Sequence, residues 1–222
     1  EGMLDGAAAL PGVAAAGLIS ALPASGLVGN GLVHLDGDPS LTGNAVYVVA
    51  SPGAFGALDI PLLQGRLFHE GDAPDAPHAV VVSRAFADTY WPGEDPIGHR
   101  VSGGGMDNFW SAAEPVFGTV VGVVGDVRWG DLTAQARPTV YWSYRQRPFR
   151  IQSGANLVVE SATGDPALAA APLRKALEVA DPDIAVRISY LSDRVADSVA
   201  PRRFVLLVMT GFAAMALLLA AL

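Results

Sequence analysis

The chain contains no cysteine and a single lysine, Lys175, among its 222 residues. Without cysteine there are no disulfides, no thiolate nucleophile and no cysteine-ligated zinc. The redox compartment stays open, because a chain of this length does not need disulfides to fold. Lys175 follows Leu173-Arg174 and precedes Ala176, so no Gly-Lys-Ser/Thr phosphate loop exists, and lysine Schiff-base chemistry is nearly excluded. Positive charge is scarce overall: 14 Lys and Arg stand against 22 Asp and Glu, a net charge of −8. That balance is the opposite of the basic footprint nucleic acid requires, and no nucleic-acid partner is expected.

The patterns that mark catalytic and cofactor sites are missing too. Gly122-x-x-Gly125 lacks the third glycine and the following helix of a dinucleotide fingerprint. There is no Gly-x-Ser-x-Gly elbow, and nothing marks a particular serine for a dispersed Ser-His-Asp set. The stretch His69-Glu70-Gly71-Asp72-Ala73-Pro74-Asp75-Ala76-Pro77-His78 holds five potential metal ligands, but its spacing fits neither zinc nor EF-hand geometry, and two prolines make it an extended acidic loop. A calcium loop built on Asp36 and Asp38 fails because its sixth position is Leu41 rather than glycine. No catalytic, cofactor-binding or metal residue is assigned, no cofactor is expected, and the chain reads as a non-enzyme. Trp110, Trp129, Trp142 and Phe149 read first as packing and second as a contact surface for a partner or substrate.

What the chain has is apolar mass. Hydrophobic residues make up 51% and charged residues 16%, which excludes intrinsic disorder and allows a sizeable core in one large domain or two small lobes. Residues 204–222 form 19 uncharged positions with Thr210 as the clearly polar one. At ~1.5 Å per residue they span about 30 Å, the hydrocarbon thickness of a bilayer, and are expected to begin a membrane helix. Arg202 and Arg203 precede the run; the positive-inside rule would place them in the cytoplasm, but that rule weakens behind a loop of about 200 residues. The start is apolar but is no signal peptide: it lacks a basic n-region, carries Glu1 and Asp5, and is broken by Pro11. Beginning at Glu1 and stopping inside an apolar run, the chain is expected to be a piece of a longer protein.

Between these ends the pattern alternates helix and strand. Residues 3–10 suit a helix and Pro11-Gly12 breaks it, while 13–19, 31–35 and 45–50 suit strands with an Asp36-Gly37-Asp38-Pro39 turn between the last two. Strands are expected at 79–82, 120–124, 139–142 and 157–159. Ser83 can cap a helix over 84–90 that Pro92 stops. Gly93 and Gly98 permit positive φ around the Asp95-Pro96 turn, and Gly122 and Gly125 imply close backbone packing or a bulge. Gly65-Arg66 reads as a turn with an exposed or paired guanidinium, and glycines 103–105 as a mobile loop. Asp165-Pro166 supplies a cap and a first-turn proline for a helix to about Val179, kinked at Pro172. Alternation of Ile184, Val186, Ile188 and Tyr190 predicts a half-buried strand, and 193–200 a helix leading to the membrane run.

Several segments together resemble the periplasmic core domain of MacB/FtsX-type ABC transporter permeases. They are Leu10-Pro11-Gly12-Val13, Ser51-Pro52-Gly53-Ala54-Phe55, Gly65-Arg66-Leu67-Phe68 with Asp72, and Val80-Val81-Val82-Ser83. Next come Trp91-Pro92-Gly93-Glu94-Asp95-Pro96-Ile97-Gly98, Val120-Val121-Gly122-Val123-Val124-Gly125-Asp126-Val127-Arg128, Pro138-Thr139-Val140-Tyr141 and Arg202-Arg203-Phe204. Their order and spacing span nearly the whole chain and are most similar to the MacB-like orphan permeases, which often carry two such cores and no fused ATPase.

The resemblance implies an α/β (α+β) domain between the first and second helices of a four-helix permease. Residues 1–50 and 154–200 would form a membrane-proximal α/β lobe, 51–153 an inserted β-rich lobe, and 201–222 the start of a transmembrane helix. The implied place is the bacterial inner membrane, with this domain facing the periplasm. The implied partners are a cytoplasmic ABC ATPase subunit reached through the rest of the permease, membrane lipid at 204–222, and a second permease core or periplasmic adaptor. The implied role couples ATPase-driven helix motion to export or envelope processes. Two further readings remain: a scaffold that recruits and regulates a peptidoglycan hydrolase, and an envelope enzyme anchored by one helix.

Overall fold

The computed structural model describes residues 2–25, 28–103, 116–130, 134–148, 154–183, 185–195, 209, 210, 212 and 219. Its first hairpin follows from turn chemistry. Asp36 and Gly37 both take positive φ, 54° and 78°, as a two-residue loop matched to strand twist requires. They join β2 (Asn30–Leu35) to β3 (Asp38–Ala50), closing on the pair Leu35 and Asp38. β3 starts seven residues earlier than the apolar run 45–50 suggests, because its polar half pairs with β2 as an exposed arm.

The apolar half of β3 is buried on both faces and runs parallel to β8 (Thr139–Ser143). From there the ladders pass to β5 (Ala79–Ser83), β7 (Phe117–Val124), β6 (Arg100–Ser102) and back to β2. Because β2 also pairs with β3, these six strands form a closed circuit. One set of alternating side chains fills it: Val33, Tyr47, Val49, Val80, Val82, Val101, Val120, Val140 and Trp142. Helix α3 (Arg84–Tyr90) adds Phe86 to that core, and Trp91 follows it. Ser83 caps α3 as expected, accepting from the Phe86 amide at 3.2 Å, and its hydroxyl also takes the Thr139 amide at 3.1 Å.

The opposite side chains, Val46, Val48, Val81, Val124 and Tyr141, face a second core. It is covered by Phe55 of α2 (Pro52–Ala57), Phe68 and Trp129. β4 (Leu62–Gly65) adds to β7 at the edge. Gly122 behaves as its position implied: a Cβ there would lie 2.1 Å from the Arg66 carbonyl oxygen, and the β5–β7 register slips beside it. Gly93 and Gly98 take φ of 81° and 94°.

The remaining elements come from the two ends of the chain. β1 (Val13–Ile19) pairs antiparallel with β9 (Asn156–Ser161), and α1 (Gly2–Ala8) and α4 (Pro166–Ala180) pack beside them. The sheet thus runs from the circuit through β3 to β1 and β9. The whole is a mixed α/β fold with a large sheet and few helices.

One expected strand is different. Residues 185–190 join no ladder, although their exposure still alternates, with Val186, Ile188 and Tyr190 half-buried. The segment runs beside α4, where Arg174 donates to the Val186 carbonyl at 3.4 Å, and Ile188 and Tyr190 line an open hollow against that helix. A helical turn begins at 191 and is described to 195. Most of the apolar run 204–222, the glycines at 104 and 105, Trp110 and Phe149 lie outside the described residues. Among the described residues no helix is long and apolar enough to cross a membrane.

Candidate functional site

The candidate site is the layer in which β1 and α1 meet β9 and α4. β1 reads Val-Ala-Ala-Ala-Gly-Leu-Ile, a strand with small residues where neighbours come close. Its ladder sets Ala16 opposite Val159 and Leu18 opposite Leu157. One face of the pair packs under α1 and α4, where Ala7, Ala16 and Leu173 are buried and Leu4, Leu10, Leu157, Val159 and Leu177 close around them. The other face sends Ile19 and Val158 into the core beneath α2. α4 is set in place by its N-terminus: Asp165 accepts from the Ala167 amide at 2.9 Å, Pro166 follows, and the Ser161 hydroxyl of β9 donates to the Asp165 carbonyl at 2.8 Å. Lys175 lies exposed on α4 and takes part in no phosphate loop.

The acidic loop 69–78 is tied down by polar contacts. The Arg66 guanidinium holds both Asp72 carboxylate oxygens at 2.8 and 2.9 Å, and the His69 amide donates to the same carboxylate at 3.0 Å. Burial works against ionisation of Asp72, but these donors outweigh it and hold the carboxyl below its ordinary range. Gln146, just past β8, accepts from the Ala79 amide and donates to the Ala73 and Pro77 carbonyls, and Arg145 donates to the Glu70 carbonyl. Asp38 folds back on Ser40, accepting from its amide and hydroxyl at 2.8 Å. Asp36 instead takes the His99 ring at 2.6 Å and the Trp91 indole at 3.4 Å. No group of three or more metal-ligating side chains occurs among the described residues.

Among the hollows of the described surface, two stand near the elements above. One, of about 520 Å³, is lined by Pro74, Tyr144, Arg145 and Pro148. The other, of about 470 Å³, lies between α4 and residues 188–190. Trp129 and Trp142 are buried, so of the four aromatics weighed as a contact surface these two are packing. Sequence reasoning passed over Gln146, whose role depends on a loop some seventy positions away, and Gly17, for which a glycine inside a strand was the available signal.

Residues 3–201 match the family described as the MacB-like periplasmic core domain. Among solved structures the chain is similar to the periplasmic region of MacB from Actinobacillus actinomycetemcomitans, at 16% identity, covering 81% of this chain and 72% of that one with a TM-score of 0.55. It is also similar to the extracellular domain of the noncanonic ABC-type transporter YknZ from Gram-positive bacteria, at 16% identity, 79% and 82% coverage and a TM-score of 0.48. A permease-protein domain from Porphyromonas gingivalis shares 16% identity, with 84% of each chain covered and a TM-score of 0.48. The likeness in fold rests on the first of these. No curated protein sequence matches the chain.

Proposed function

This chain belongs to the MacB-like periplasmic core domain family, and from that premise we propose that it is a mechanical coupler, passing ATPase-driven motion of membrane helices to export or envelope processes on the periplasmic side. It is the periplasmic core domain of a MacB-like ABC transporter permease, a family of transporter domains rather than enzymes. The supporting observation is the β1–β9 ladder: among the described residues the first strand and the last form one layer, so the segments that flank the circuit on both sides are joined in one element through which a displacement would pass.

The proposal includes the division into a membrane-proximal lobe, 1–50 with 154–200, and an insert, 51–153, with β2 and β3 reaching from the one into the other. It also includes residues 204–222 as the start of a membrane helix in lipid, an inner-membrane location, and a cytoplasmic ABC ATPase subunit acting through the rest of the permease. A second permease core or a periplasmic adaptor would complete the assembly.

The test is a flexible glycine–serine insert after Ala200 in the full-length permease. A short connection transmits displacement, whereas the ends of a flexible linker move independently. The expected result is loss of transport-linked function while ATP hydrolysis by the partner continues. If function survives a long insert, coupling does not run through this connection, and recruitment of a peptidoglycan hydrolase becomes the better reading.

A further inference from the structure

Among the described residues the chain-end layer joins the ladders of the six-stranded circuit where residues 17–20, at the end of β1 and just past it, cross residues 49–54 at the end of β3 and the start of α2. The ladder between β1 and β3 consists of one register pair, Ile19 with Ala50. A single pair would make a loose joint. It is flanked instead by four hydrogen bonds arranged symmetrically. The Ser20 amide donates to the Val49 carbonyl and the Ser51 amide to the Leu18 carbonyl, each at 2.8 Å. In return the Val49 amide donates to the Ser20 hydroxyl and the Leu18 amide to the Ser51 hydroxyl, each at 2.9 Å.

Ser51 makes this arrangement at a cost to its expected role. It occupies the N-cap position of α2, where a serine ordinarily accepts from an amide of the first turn, yet its side chain makes no cap bond there. It is fully buried and turned toward β1. Beside it two glycines let the backbones touch. A Cβ on Gly17 would lie 2.0 Å from the Ala54 nitrogen, and one on Gly53 would lie 2.0 Å from the Ala16 carbonyl oxygen. Neither glycine has positive φ, so close approach rather than turn geometry accounts for both.

We propose that this crossing is a weld: Ser20, Ser51, Gly17 and Gly53 fix the chain-end layer to the circuit so that the two move as one body and do not hinge at β1. All four are positioning residues. The inference rests on the coupling reading above and adds which joint must stay closed for motion to arrive at the far end of the domain.

These 222 residues carry no cysteine, so two introduced ones label this domain at chosen positions once any cysteine elsewhere in the permease is replaced by serine. Spin labels placed at D88C on α3 and K175C on α4, both exposed positions, report the distance across the weld in the full-length permease with its ATPase. The expected result is one narrow distance distribution that is the same with and without nucleotide. In an S20A/S51A background, which removes both side-chain bonds and leaves the backbone bonds, the distribution should broaden while the circular-dichroism spectrum stays native. A nucleotide-dependent shift of the 88–175 distance in the unmodified background overturns the weld, and so does an S20A/S51A distribution as narrow as the original. G17A is a second, harsher break at the same crossing and should broaden the distribution further. A third label in a membrane helix, paired with K175C, reports the coupling reading separately. If that distance ignores nucleotide, coupling fails while the weld stands or falls on the 88–175 pair alone.

Discussion

Arg66 and Asp72 meet in a two-pronged ion pair in which the carboxylate is almost wholly buried while the guanidinium remains partly in water. The pair ties the residue after β4 to the loop that leads toward β5. Its stabilisation depends on the charge of Asp72, whose folded-state pKa lies below the ordinary 3.8. A depressed carboxyl contributes stability that is present above its unfolded value and is lost as pH falls through its folded value. Asp72→Asn should therefore cost about 1–3 kcal/mol near neutrality, as removal of one partner of a buried charged hydrogen bond does. In urea titrations at descending pH the difference between the two proteins should shrink only below the ordinary carboxylate range. A gap that stays constant into strong acid would show that ionisation of Asp72 is not its source.

Two glycines of similar appearance should respond differently to alanine. Gly122→Ala drives a Cβ against the Arg66 carbonyl, a backbone atom that β4 and the Asp72 pair hold in place, and overpacking of that kind costs about 3 kcal/mol or more. Gly98 has nothing within 4 Å of its absent Cβ and only its φ of 94° to protect, which costs about 1–2 kcal/mol. Urea midpoints of the two variants test the order; an equal loss would mean that the backbone around Gly122 yields.

Tyr141 is fully buried against Phe55 and Trp129, and its hydroxyl finds no hydrogen-bond partner among the described residues. Burial, with Asp126 adding to it, pushes the Tyr141 hydroxyl far up, so it stays protonated at any working pH. Tyr141→Phe removes an unpaired polar atom and keeps the ring, and should leave stability unchanged or raise it by up to about 1 kcal/mol. Thermal unfolding decides: a clear drop in Tm would reveal a partner for the hydroxyl, such as a buried water.

Local chemistry was legible in the sequence where one short segment carries the whole reason. Asp36-Gly37 names its hairpin loop, Ser83 its cap and Gly122 its close contact without reference to distant residues. The closed circuit was not legible, because it depends on β2 pairing with both β3 and β6, and no periodicity says which edges meet. The Ser20 and Ser51 bonds join positions 29 and 33 residues apart, and a buried serine in sequence looks like any small residue. The alternation over 185–190 shows the converse: a period of two announces two faces of unequal exposure, and here it appears in a segment that joins no ladder and runs beside α4. The family was legible because many weak motifs recur in one order from Leu10 to Phe204, and all but Arg202-Arg203-Phe204 fall within the span 3–201 that the family match covers.

The three cores differ in size, and that difference predicts how the domain opens. Among the described residues fourteen buried side chains fill the circuit, including Trp142, Phe86 and Tyr47, whereas three, Ala7, Ala16 and Leu173, lie beneath α1 and α4. Opening free energies follow the apolar area a unit buries, so the helical cover should exchange its amides by sub-global opening before the circuit does. The amides at the crossing are the exception within the layer. Leu18 donates to the Ser51 hydroxyl and Ser20, just past the strand, to the Val49 carbonyl, and both should stay protected after α1 and α4 have opened. Leu173→Ala, which removes most of the largest buried side chain of the small core, should cost about 2–4 kcal/mol. Native-state hydrogen exchange should record that loss over α1, α4 and β9, with the amides of β5, β7 and β8 unchanged. If the loss spreads evenly over all of them, the layer and the circuit unfold as one cooperative unit.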